Sequence, residues 1–221
     1  MKRKLVILLA AVTCAALFLS AGKPKLIGED EAKEIGLAFI NHVFDVNETE
    51  ATVTYATQAG ATYLDGEYKQ TGDEQPIYYY VVATSQRQDG MYDYNAFVNA
   101  ETGVAYAAEQ NYAHVPKMTL EQREKWSEAY GNGDSEAIDY LSMNIDCYDF
   151  AREWISQTFD LNARILGIVD SGSLFDPSGA NTNFYVVIRD GTIYHVTMAW
   201  PQMTVVEVTI LNQTRPTGDV P

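Results

Sequence analysis

The segment Ile168-Val169-Asp170-Ser171-Gly172-Ser173 sets a carboxylate in the surroundings that an aspartic peptidase uses: two aliphatic residues, then Asp, Ser and Gly. That chemistry needs a second carboxylate about 3 Å away, so that two acids share one proton. The chain has no second triplet of this kind; Asp65-Gly66 and Asp89-Gly90 come nearest. A lone triplet reads as local backbone design. Asp170 is expected to end a strand, with residues 171–182 forming its loop, and an Asp170 peptidase ranks last among the functions considered.

The other reactive side chains are few. His42, His114 and His195 fall on a helix, a linker and a strand. No two of them have the i, i+4 spacing of metal ligands, so no metal or cofactor is expected. Cys147 stands at the start of a helix, where a thiolate would be favoured. No base is placed for it, so it reads as a small buried apolar residue. Gly-rich phosphate loops and Gly-x-Ser-x-Gly are absent from the sequence. Tyrosine is the conspicuous excess, at 15 residues. In Tyr78-Tyr79-Tyr80 the side chains must alternate between the two faces of a strand. Tyr63, Tyr68, Tyr79 and Tyr92 are the candidate ligand-binding set, since tyrosines on a sheet face can hold peptides or sugars. Cross-strand packing is the structural alternative.

These residues need elements to carry them. Met1-Lys2-Arg3-Lys4 precedes an uncharged stretch from Leu5 to Leu19, and Ser20-Ala21-Gly22 follows with small residues. Residues 1–22 therefore read as a secretory signal peptide. Leu5–Leu19 is shorter than the ~20 residues that span a bilayer comfortably. An uncleaved segment tethering the protein to the membrane, or a lipid anchor at Cys14, are the alternatives. The protein is expected to be secreted or extracytoplasmic. After residue 22 only Cys147 remains, so an internal disulfide is impossible and the core must hold the fold.

The net charge is −15 at pH 7, and the three cations of the leader contribute positively to it. A surface so negative repels phosphate backbones and anionic headgroups, which argues against nucleic acid as a partner and against membrane contact beyond the leader.

The chain contains a duplication. Phe39-Ile40-x-x-x-Phe44-Asp45-Val46-Asn47 recurs 115 residues later as Trp154-Ile155-x-x-x-Phe159-Asp160-Leu161-Asn162. Each copy ends a helix. The first follows Glu29-Asp30-Glu31, acids that complement a helix N-terminus, with positions 36, 39, 40 and 43 at helical spacing. The second carries Ala151, Trp154, Ile155, Thr158 and Phe159. Asn47 and Asn162 are expected to stop the helices. Tyr-, Val- and Thr-rich runs then read as strands: 51–58, 77–84, 94–99 and 104–107 in the first copy, and 164–170, 183–189, 192–199 and 204–211 in the second. Residues 59–76 read as a loop. Tyr80-Val81-Val82 is aligned with Tyr185-Val186-Val187.

The expected fold class is α+β, as two tandem modules, each one helix on a four-stranded antiparallel sheet. Module 1 covers 23–115 and module 2 covers 134–214. A connector helix and linker occupy 116–133, with the helix from Met118 to Tyr130, and 215–221 is a tail.

The run Ile27-Gly28-Glu29-Asp30-Glu31-Ala32-Lys33-Glu34-Ile35 resembles the opening of PepSY-type domains. Tyr94-x-x-x-Val98-Asn99-Ala100-Glu101-Thr102-Gly103-x-x-Tyr106 resembles their closing hairpin. The resemblance covers roughly residues 26–110. The second copy departs from it at Trp200-Pro201-Gln202-Met203, which lacks the Thr-Gly pair, and rests on the internal repeat alone. The resemblance implies a PepSY/cystatin-like fold and an exported or surface-attached module. It implies a role toward proteases and brings no active-site residues. The expected function is non-enzymatic binding of a peptide, a protease or another envelope protein. Recognition of cell-wall carbohydrate through tyrosines is the alternative.

Overall fold

The structure, a computed structural model, describes residues 25–64, 67–86, 90–131, 145–161, 165–176 and 179–211. The leader and the tail after Leu211 lie outside the described residues. So does Asn162. Among the described residues no helix is long and apolar enough to cross a membrane.

Helix α1 spans Glu29–Phe44, with three acids in its first turn. It buries Ala32, Gly36, Ile40 and Val43, an i, i+4 and i+3 series that forms one stripe. Its end differs from expectation. Asp45, not Asn47, takes the left-handed conformation, at φ 52°. In the second half Asp160 does the same at φ 49°. Aspartate shares with asparagine the short polar side chain that makes this region accessible.

Helix α2 spans Leu120–Gly131. Thr119 and Gln122 start it with a reciprocal pair: Gln122 N donates to Thr119 Oγ1 at 3.2 Å, and Thr119 N donates to Gln122 Oε1 at 2.8 Å. That is a capping box, which satisfies two otherwise orphaned N–H groups. Helix α3 spans Ile145–Thr158.

The strands are β1 Thr52–Leu64, β2 Glu67–Ala83, β3 Tyr94–Asn99, β4 Ala105–Gln110, β5 Ile165–Asp176, β6 Gly179–Ile188, β7 Ile193–Trp200 and β8 Thr204–Ile210. All pairings are antiparallel. Two segments expected as loops are strand. Residues of 59–76 pair across the β1–β2 hairpin as far as Leu64↔Glu67. Residues of 171–182 pair across β5–β6 as far as Asp176↔Gly179. The glycines at 60, 72 and 172 do not end these strands; the sheet absorbs them as irregularities. Register shifts fall at Gln58/Gly60, Gly60/Ala61 and Asp170/Gly172, where extra residues bend a strand without ending it.

The larger correction concerns the modules. The strands form one eight-stranded sheet in the order β1-β2-β3-β4-β8-β7-β6-β5, not two separate four-stranded units. The seam is β4 with β8, paired as Ala107↔Thr209, Ala108↔Val208 and Glu109↔Glu207. An isolated four-stranded unit would leave one of these strands as an open edge, and pairing removes it.

The seam has internal symmetry. The bulged residues are Tyr106 of β4, opposite the step from Phe97 to Val98, and Val206 of β8, opposite the step from Thr197 to Met198. Tyr94 opposes Gln110, and Tyr194 opposes Ile210. Equivalent positions of these strands are thus 100 residues apart. Ala108 therefore pairs with its own counterpart, Val208, so a pseudo-two-fold axis passes between them. This is an isologous junction within one chain. The same offset places Met203, at φ 54°, in the turn position of Gly103, at φ 69°. It also revises the alignment of β2 with β6. Val82 opposes Ala96, and Phe184 opposes Val196, so Val82 corresponds to Phe184 and not to Val187. Tyr80 is accordingly buried, whereas Tyr185 is exposed.

Both α1 and α3 lie on one face of the sheet. Their C-terminal parts meet above the seam, where Phe39 and Phe159 rings are 6.3 Å apart. Phe44 packs on Tyr94 at 5.4 Å, and its counterpart Phe159 packs on Tyr194 at 4.7 Å. A shared core of Val43, Ala108, Ile155, Val186, Val196, Val205 and Val208 lies beneath. Burial pushes the hydroxyls of Tyr94 and Tyr194 above the ordinary tyrosine pKa.

Helix α2 joins the second half at the β7–β8 turn. Gln122 Nε2 donates to Pro201 O at 3.1 Å, and the buried Trp126 meets Trp200 edge-on at 5.4 Å.

The two stretches that carried the family resemblance meet in space. Ile27 N donates to Ala100 O at 2.8 Å, and Tyr80 Oη donates to Ile27 O at 2.9 Å. Asn99, buried, accepts from the N–H groups of Glu101 and Thr102 through Oδ1, at 2.9 and 3.0 Å. Gly103 closes the turn in the left-handed region. A Cβ there would meet Ile27 and Ile35 only at ordinary contact distances of 3.6 Å. Gly103→Ala is therefore expected to cost about 1 kcal/mol, from backbone strain alone. Urea denaturation checks this, and an unchanged midpoint would contradict it.

Candidate functional site

With α1 and α3 on one face, the opposite face is the candidate surface. Strand alternation determines what it presents. Tyr78 and Tyr80 join Tyr55 on the helix side, with ring centroids 6.4 and 5.5 Å from Tyr55. Tyr79 points the other way, 6.1 Å from Phe97, which lies 6.3 Å from Tyr106. These three rings form an aromatic row across β2, β3 and β4. Burial pushes the Tyr106 hydroxyl up to about 12, so Tyr106 is a neutral phenol throughout the physiological range.

Beside this row runs a polar one. Cross-strand pairing aligns Asn95, Glu109, Glu207, Thr197 and Asn183 through β3, β4, β8, β7 and β6. Asn95 Nδ2 donates to Glu109 Oε1 at 2.7 Å. Thr209 Oγ1 donates to Glu207 Oε1 at 3.3 Å, and Thr197 Oγ1 donates to Asn183 Oδ1 at 2.8 Å. Glu109 and Glu207 are direct cross-strand partners at the seam, so their Cα atoms are roughly 5 Å apart. His195 packs its ring 5.0 Å from Tyr185. Desolvation holds its pKa below the usual histidine value, and the charge of Glu207 opposes that shift.

The tyrosines singled out from sequence do not converge. Tyr63 and Tyr68 face each other in the register of the outer β1–β2 hairpin. Tyr79 lies eleven residues further along β2, some 35 Å at ~3.3 Å per residue. Tyr92 sits in the β2–β3 connection, bridged to Gln86, and its carbonyl accepts from Asn111 Nδ2 at 3.1 Å. Tyr79 alone of the four lies in the aromatic row. Its neighbours Phe97 and Tyr106 were not singled out; alternation in β3 and the single-residue bulge at Tyr106 put them there.

The remaining candidates are dispersed. His42 rests its ring on Phe159 at 6.1 Å. His114 Nε2 lies 3.0 Å from Asp93 Oδ1, and its ring stacks on Tyr94 at 4.8 Å. Cys147 is buried, with Sγ 4.0 Å from Met203 Sδ. Asp170 lies within β5 opposite Phe184, not at a strand end. Among the described residues no three His, Cys, Asp or Glu side chains group as metal ligands would.

No family model matches the chain, and no curated protein matches it. Among solved structures, the chain is similar to the Bacillus megaterium YpeB C-terminal domain. The two are 10% identical with a TM-score of 0.40, and the match covers 89% of this chain and 70% of that one.

Proposed function

We propose that the chain is a non-enzymatic binding module that acts outside the cytoplasm, engaging a peptide, a protease or another envelope protein through the face of its sheet opposite α1 and α3. The observation that carries this reading is the row Tyr79–Phe97–Tyr106, half-buried aromatic side chains on a face that neither α1 nor α3 covers. Aromatic rings in such a setting give large contact area at small conformational cost. The leader-like residues 1–22 and the PepSY-like stretches at 27–35 and 94–106 support the compartment and the class. Cell-wall carbohydrate and an Asp170-dependent peptidase are the readings the experiment must separate.

Titrating isotope-labelled protein with unstructured peptides, and in parallel with soluble cell-wall glycans, makes the distinction. Peptide is expected to shift the amides flanking Tyr79, Phe97 and Tyr106, and Phe97→Ala is expected to weaken that response severalfold. Shifts with glycan only would replace the peptide reading. Peptide cleavage lost in Asp170→Asn would end the non-enzymatic one.

A further inference from the structure

We infer that the segment held by this face is cationic, with an arginine or lysine side chain seated on Glu109 and Glu207 at the seam. This rests on the reading of the face opposite α1 and α3 as a binding surface and adds the chemistry of its partner.

Strands β3, β4, β8 and β7 contain two formally charged residues, Glu109 and Glu207, and no Lys or Arg. The sheet places those two directly opposite each other. Like charges in that relation destabilise a pair of strands. Among the described residues neither carboxylate is ion-paired; their hydrogen-bond donors are the neutral Asn95 and Thr209 side chains. Nor does His195 supply a cation, because burial favours its neutral form.

A second observation points the same way. Asn95 Oδ1 is buried and accepts no hydrogen bond from the described residues, although the same amide donates to Glu109. The site thus offers two carboxylates and an unused amide oxygen, all acceptors. A guanidinium carries five donors and no acceptor, and binds carboxylates in charge-assisted pairs. Phe97, two residues along β3 from Asn95 on the same face, and Tyr106 beside it offer ring faces to such a cation. The net charge of −15 would draw a basic segment in and oppose a second copy of this chain.

The test uses the full chain and two probe peptides, hexa-arginine and a length-matched hexa-citrulline, which keeps the shape and loses the charge. Calorimetric titration at low and moderate salt is expected to show hexa-arginine binding and citrulline at least roughly tenfold weaker. The double variant Glu109→Gln/Glu207→Gln is expected to lose roughly tenfold for hexa-arginine. It should fold, since it removes a repulsion, and its melting temperature is expected at or above that of the parent. A control with the same charge change elsewhere, Glu124→Gln/Glu128→Gln on α2, should bind as the parent does. Equal losses in both double variants would mean attraction to net charge, not to this seam, and would overturn the inference. Hexa-arginine failing to bind would also overturn it. Equal binding of both peptides would overturn it too, while leaving the reading of the face as a peptide-binding surface intact.

Discussion

Gly36→Ala is expected to lower stability by about 2 kcal/mol, although alanine is the better helix former. A Cβ at Gly36 would lie 2.5 Å from Val82 Cβ, 2.6 Å from Cγ2 and 2.8 Å from Cγ1. Val82 is fully buried in β2. Its Cβ is fixed by the strand backbone, so no rotamer change relieves the nearest contact. Overpacking of this kind costs ~1–3 kcal/mol, occasionally more. The gain in helix propensity returns at most about 1 kcal/mol, so overpacking is the larger effect. Relief requires α1 to lift from the sheet, which would open the core of Ala32, Ile40, Tyr80 and Val98. Denaturant midpoints of the single variant and of a double variant with Val82→Gly give the check. The Gly36→Ala cost should shrink markedly in the Val82→Gly background. An equal cost in both backgrounds would show that the close approach of α1 and β2 is not the cause.

The second large effect concerns α2. Trp126 is among the largest fully buried side chains, at 1% exposure, and its ring meets Trp200 at the end of β7. Trp126→Ala is therefore expected to cost about 3–5 kcal/mol, as for other buried aromatic truncations. A helix that only linked two halves would tolerate the change within about 0.5 kcal/mol. Chemical denaturation followed by far-ultraviolet circular dichroism distinguishes these outcomes. A loss below 1 kcal/mol would mean that α2 is a tether and that its contacts at Trp200 and Pro201 contribute little.

The elements that were legible in the sequence are those whose signal is local. Helix α1 announces itself by acids at 29–31 and an apolar stripe, and β3 by a short Tyr-, Phe- and Val-containing run between turns. The alternation of Tyr78, Tyr79 and Tyr80 likewise needs no tertiary knowledge. The hairpin extensions were missed because glycines at 60, 72 and 172 mimic loop composition while the backbone keeps pairing around them. The seam was missed for a different reason. The pattern of β4 is the same whether its outer edge faces water or β8, since hydrogen bonds between backbones leave no mark on side-chain periodicity. Glu109 and Glu207 therefore carry no sign in the sequence that they stand opposite each other. The halves appeared as independent modules because each has its own helix and hairpins. The β4–β8 register, the contact of Phe39 with Phe159 and the buried cluster that joins Val43 and Ala108 to Ile155 and Val208 reveal a shared core.

That seam also bears on how the chain folds. Pairing Ala108 with Val208 closes a loop of 100 residues, at an entropic cost of about 4 kcal/mol before any contact is gained. The turn of Asn99–Gly103, by contrast, closes over a handful of residues, on the microsecond scale typical of hairpins. Local meanders thus have a large kinetic advantage over the junction that unites them. Until the junction forms, β4 and β8 each expose a bare edge that matches its own counterpart in another molecule. A chain in that interval can join its halves to those of a neighbour instead of to each other, at a rate that rises with concentration, so dilution favours the monomer.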